Sequence, residues 1–142
     1  MLGIGCSFNV EAAPGQAVKI QPSIPEEAQD YDLTFSVLDV GQGLSLLVES
    51  NGEYLLYDGG DRYASSYVVS YLKNEGIDQL DYVVASHYDS DHINGVIGAL
   101  NAFPVDTIIG PDYIHDSQTY QSFTNTVASL GKEVEHPVVG TT

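Results

Sequence analysis

Apolar positions follow a strand-like pattern from residue 33 to 57 and helical spacing in several of the segments that follow. Leu33 to Val40 predicts a strand, Gly41-Gln42-Gly43 a turn, and Leu44 to Glu49 a second strand. Asn51-Gly52 is a two-residue hairpin signal, since both positions tolerate positive φ, and Glu53 to Tyr57 returns as a third strand ending at Asp58-Gly59-Gly60. Tyr67, Val68, Tyr71 and Leu72 then keep helical spacing, with Gly76 as the stop. Leu80 to Ser86 is a buried strand. Ile93, Val96, Ile97 and Leu100 predict a short helix starting directly after His92. Thr107 to Ile109 is another short strand. Tyr120, Phe123, Val127 and Leu130 mark a helix over 117–130, closed by Gly131, and Glu133 to Val139 is a last strand interrupted by Pro137. The predicted order is βββ-α-β-α-β-α-β, a mixed α/β fold entered through a meander.

Before residue 32 no hydrophobic period survives. Asn9 to Tyr31 contains Pro14, Pro22, Pro25 and Gly15 among glutamates and glutamines, so residues 1–31 are expected to form a flexible tether, with the folded domain over 32–142. The segment Met1 to Phe8 is too short to span a bilayer and lacks basic leading residues. Gly5-Cys6-Ser7 followed by a polar stretch has the form of a bacterial lipoprotein signal remnant, in which Cys6 carries the lipid. An inert thiol on an exposed terminus is the alternative. With Cys6 the only cysteine, a disulfide framework is excluded.

Composition narrows the partners. Twenty acidic residues against four Lys plus Arg give a formal charge of −16, which repels nucleic acid phosphates and favours solubility or divalent cations. An extracellular or cell-surface habitat in a bacterium is the plain explanation for most of these acids.

The chemistry concentrates in Ser86-His87-Tyr88-Asp89-Ser90-Asp91-His92. Four metal-ligand side chains fall within six positions, directly after a strand. In extended backbone His87 and Asp89 project to one side, and Asp91 and His92 follow across a bend. Two pairs could therefore serve two ions sharing a water. Asp91 could take the proton from that water. A helix starting near Ile93 would point its positive end at an anionic substrate. No serine or cysteine nucleophile context competes with this reading.

The run His87-x-Asp89-x-Asp91-His92 resembles the His-x-(His/Asp)-x-Asp-His signature of the metallo-β-lactamase fold superfamily. Phe35-Ser36-Val37-Leu38-Asp39-Val40-Gly41-Gln42-Gly43 and Leu55-Leu56-Tyr57-Asp58-Gly59-Gly60, in that order upstream, resemble the hydrolase domain of the ComEC-like competence protein branch. The resemblance implies an αββα sandwich of which this chain covers roughly the first βα half. It implies His87 and Asp89 on one ion and Asp91 and His92 on the other, with Asp58 supporting the metal loop. It also implies a metal-dependent hydrolase using Zn2+, in a two-ion site, on a phosphodiester, related ester or other small-molecule substrate. Asp89 stands where most of the superfamily has histidine, and its harder oxygen weakens the preference for zinc over Mn2+. Leu44 stands where that branch often has aspartate.

The superfamily's remaining ligands lie in its second half, so this chain is expected to carry half an active site. The alternative is a truncated, non-catalytic module that binds metal or a partner, or that forms an oligomer through an uncovered sheet. His115, in the Pro111-Asp112 loop, and His136, beside Pro137, are read as surface residues. Tyr67 and Tyr71 are read as core-facing, and Tyr88 as loop packing or a groove wall.

Overall fold

The structure, a computed structural model, describes residues 33–138 and 140, and the backbone of 7–11 and 18–23. Eight strands and three helices follow in the order β1 (Ser7–Glu11), β2 (Val18–Ser23), β3 (Leu33–Val37), β4 (Leu46–Ser50), β5 (Glu53–Tyr57), α1 (Ser65–Asn74), β6 (Leu80–Val84), α2 (Ser90–Ala102), β7 (Val105–Ile109), α3 (Gln118–Ser129) and β8 (Val134–Glu135). They form one mixed sheet whose spatial order is the chain order. Pairing is antiparallel from β1 to β5 and parallel from β5 to β8. The switch to parallel pairing coincides with the first helix, because a parallel neighbour requires a crossover. α1 packs on α2 and α2 on α3, so the helices line up as one layer.

Register explains the core. Ser36, Leu47, Leu56, Val83 and Ile108 are paired neighbour to neighbour across β3 to β7, and all five are buried. This row faces the buried helix positions Val68 and Leu72 of α1, Ile93, Val96, Ala99 and Leu100 of α2, and Phe123 and Val127 of α3. The next row, Phe35, Val48, Leu55, Tyr82 and Thr107, lies on the opposite face, where Phe35 and Tyr82 are exposed. A one-residue slip would exchange the two rows, which pins the register.

Several expectations meet the structure directly. The hairpin at Asn51-Gly52 forms with positive φ at both residues. α1 ends as expected: Gly76 has φ +77°, its N–H donates to the Lys73 carbonyl, and the Ile77 N–H to the Leu72 carbonyl, a paired closure of the last turn. Tyr88 is 1% exposed and belongs to the core.

Others are corrected. The tether expected over 9–31 is contradicted at 9–11 and 18–23, where β1 and β2 pair with each other and β2 pairs with β3. The Val18-Lys19-Ile20-Gln21 alternation is a strand pattern that the surrounding prolines obscure. Cys6 lies outside the described residues. The helix expected after His92 starts earlier, at Ser90, because extended Asp89 takes the N-cap position and its carbonyl accepts from the His92 and Ile93 N–H groups. Its first turn is polar, so the hydrophobic period begins one turn late. The last strand is two residues long, with Pro137, which has no N–H, shortly beyond it.

Candidate metal centre

Loops at the carboxyl ends of three adjacent parallel strands converge, the usual place for a site in an open α/β sheet. β5 delivers Asp58, β6 delivers Ser86 to His92, and β7 delivers the loop with His115. Backbone bonds carry the pairing past the strand ends, Asp58 N–H to Val84 O at 2.8 Å and Ala85 N–H to Ile109 O at 2.9 Å. The loops therefore leave the sheet in fixed register.

Asp58 is the hub. It is fully buried and has φ +57°, a left-handed conformation rarely taken by a residue with a side chain. One carboxylate oxygen, Oδ1, accepts from the Ser86 N–H at 2.8 Å. The other, Oδ2, accepts from Ser86 Oγ at 2.6 Å and meets His92 Nδ1 at 2.8 Å. Ser86 Oγ also lies 2.8 Å from His87 Nδ1. With its own proton on Asp58, the hydroxyl can only accept there, so His87 carries its proton on Nδ1 and leaves Nε2 free. His92 is oriented the same way by the carboxylate itself. One buried aspartate thus aims two imidazoles, whose rings stand 3.9 Å apart between centroids. This is the outer-sphere arrangement that fixes histidine ligands in metal sites.

Among the described residues, one group of three donors, Asp58, His87 and His92, has ligand atoms all within 4.8 Å of one another. Asp58 is poorly suited to act as the third ligand, because both of its oxygens are already engaged by Ser86 and His92. The donors that remain are the free Nε2 edges of His87 and His92, flanked by two carboxylates. Asp89 Oδ2 lies 3.5 Å from His87 Nε2, and Asp91 Oδ2 lies 4.0 Å from His92 Nε2. Neutral nitrogen and carboxylate oxygen together suit a divalent zinc or manganese ion.

All four residues of the motif therefore meet at one place. Asp91 and His92 sit in the first turn of α2 rather than beyond a bend, and the two histidines converge on each other across the expected pairs.

Three side chains escaped the sequence reading. Gln42 Nε2 donates to Asp91 Oδ2 at 3.3 Å, and Gly43 packs so closely on Asp91 that a β-carbon would collide with its carbonyl. Ser86 is the bridge just described; its position beside His87 was visible, its bond to Asp58 was not. His115 is the third. Its Nε2 lies 3.2 Å from Asp89 Oδ1, so it is part of the centre rather than an idle surface residue. His136 lies apart, with Nδ1 donating to the Gly110 carbonyl at 3.0 Å.

Tyr88 ties the motif to the loop after β7. Its hydroxyl donates to the Pro111 carbonyl at 2.8 Å, and its N–H donates to the Tyr113 hydroxyl at 3.1 Å. Burial, followed by the nearby Tyr120 and Tyr113 hydroxyls and Asp112, pushes the Tyr88 pKa up to about 12.

The chain is similar to several known proteins. Recombination protein 2 of Haemophilus influenzae is 37% identical over 91 residues, 61% of this chain and 11% of that protein. Competence protein ComA of Neisseria gonorrhoeae is 40% identical over 72 residues, 50% of this chain and 10% of its own length. The chain thus spans about a tenth of the length of these relatives. The crystal structure of the metallo-β-lactamase FIM-1 from Pseudomonas aeruginosa in its mono-zinc form overlaps 93% of this chain and 50% of its own, at 13% identity and a TM-score of 0.43. The family model of the metallo-beta-lactamase superfamily matches residues 38–139, from the end of β3 through the whole candidate centre, and the chain belongs to that superfamily.

Proposed function

We propose that this chain contributes the first metal-binding half of a metal-dependent hydrolase acting on a phosphodiester or related ester. The observation that carries the proposal is the pair of imidazoles held through Nδ1 by the Asp58 carboxylate, directly and through Ser86, with both Nε2 edges free. His87 and His92, flanked by Asp89 and Asp91, would hold the ion. Zinc or manganese there would supply Lewis acidity toward a substrate oxygen and make water a better nucleophile near neutral pH.

The chain's own groups support the rest. Asp91, which Gln42 contacts and which is partly exposed, would accept the proton of the attacking water. The N-terminus of α2 opens onto the centre, and Asp89 at its cap makes no side-chain bond to the helix. The positive end of the helix thus favours a substrate with an anionic oxygen. The family resemblance divides the four residues between two ions, whereas the convergence of His87 on His92 supports a first ion shared by both rings.

The relatives are named for recombination and competence, which puts nucleic acid among the substrates to test, although the −16 charge of this chain disfavours it. No helix among the described residues is long and apolar enough to cross a membrane. Lipid attachment at Cys6 and an extracellular location remain part of the proposal, supported by Gly5-Cys6-Ser7.

The test is hydrolysis of a chromogenic phosphodiester and of single-stranded DNA by the metal-loaded protein. Turnover of either that falls by about 10²- to 10⁴-fold in D91N would support the reading. Protein that is both metal-free and inactive after loading with zinc or manganese would count against it.

A further inference from the structure

We propose that His115 is a positioning residue that fixes Asp89 as a metal ligand presenting a single oxygen, an inference that rests on the metal site proposed above. The backbone N–H of Ser117 donates to His115 Nδ1 at 3.1 Å, so that nitrogen is the acceptor and the ring proton sits on Nε2. Nε2, the protonated nitrogen, lies 3.2 Å from Asp89 Oδ1. The other oxygen, Oδ2, is the one turned toward His87 Nε2, at 3.5 Å. One carboxylate oxygen lies beside the His115 imidazole and the other beside that of His87.

The placement of His115 is enforced from both flanks. On one side, Pro111 and Tyr113 are bonded to the hydroxyl and N–H of Tyr88, next to Asp89 in the motif. On the other, Ser117 is the N-cap of α3, its side chain accepting from the Tyr120 N–H, and Tyr120 packs on Tyr88. The loop is therefore docked onto the residue between His87 and Asp89.

His115 stands to Asp89 as Asp58 stands to His92. Each ligand has a partner that leaves one donor atom facing the ion, and such partners typically change metal affinity by about 10- to 100-fold. Asp89 needs that partner. Its side chain is 59% exposed, and without His115 the described bonds leave it free to rotate toward solvent.

The experiment is zinc titration of the purified protein against a chromogenic chelator, for the parent, H115A, H115Q, D89A and the D89A/H115A pair, with melting of each metal-free protein. H115A should weaken zinc about 10- to 100-fold without moving the metal-free melting temperature. H115Q keeps an N–H donor at the end of the side chain and should recover most of that loss. Adding H115A to D89A should change nothing further. The inference is overturned if H115A binds as the parent does, or if it weakens D89A by the factor by which it weakens the parent, since His115 would then act independently of Asp89. A parent that binds no zinc would instead overturn the metal site itself, and the role of His115 with it.

Discussion

Asp58 adopts a left-handed backbone conformation, and only Gly, Asn and Asp do so at low cost. Asparagine can therefore replace it without a backbone change, which makes D58N a clean test of its charge. The amide offers one acceptor where the carboxylate serves the Ser86 N–H, the Ser86 hydroxyl and His92 Nδ1. A buried donor is left unpaired, at about 1–3 kcal/mol. Calorimetry should show that loss, and zinc affinity should fall about 10- to 100-fold as the imidazoles lose their aim. Tyr88 supports a pH prediction. The folded state keeps the phenol protonated up to about pH 12, whereas an unfolded tyrosine ionises near 10. Its contribution is thus fully present below pH 10 and is lost as pH rises from 10 to 12. The gap in melting temperature between the parent and Y88F should narrow over that interval.

Between elements, the decisive contact is backbone on backbone. A β-carbon on Gly95 of α2 would fall inside the Gly59 carbonyl, and one on Gly59 inside the Gly95 backbone. The Gly59 N–H donates to the His92 carbonyl at 2.8 Å, so this approach sets the height of His92 above Asp58. Helix propensity alone would make G95A stabilising by about 1 kcal/mol. The collision should win, because neither backbone can move without breaking the Gly59–His92 bond. G95A should lower both the melting temperature and zinc affinity, measured on the same preparation. This contact also marks the limit of what the chain reveals when read linearly. The parallel half, the three helices and the four motif residues were legible, since each rests on periodicity or on neighbours in sequence. Gln42, Ser86 and His115 were not, because their roles depend on partners 49, 28 and 26 positions away. β1 and β2 were missed because prolines outweigh a short alternation, and the start of α2 because its first turn carries Ser90, Asp91 and His92 instead of apolar residues.

As a whole, the molecule is a sheet with one face covered by three helices and the other bearing the row Phe35, Val48, Leu55 and Tyr82. All chemistry lies at one end, where β5, β6 and β7 finish, and the opposite end of those strands has no comparable cluster among the described residues. The acidic surface raises the local concentration of divalent cations without selecting a site. In the proposed site, selection would come from Asp58, which holds both imidazoles in one orientation through Nδ1. X-ray absorption at the zinc edge, on protein loaded with one equivalent and freed of excess metal, tests this most directly. The account predicts retained zinc with a histidine nitrogen shell that disappears in H87A/H92A. Zinc held equally well by that double variant, or none held by the parent, would contradict it.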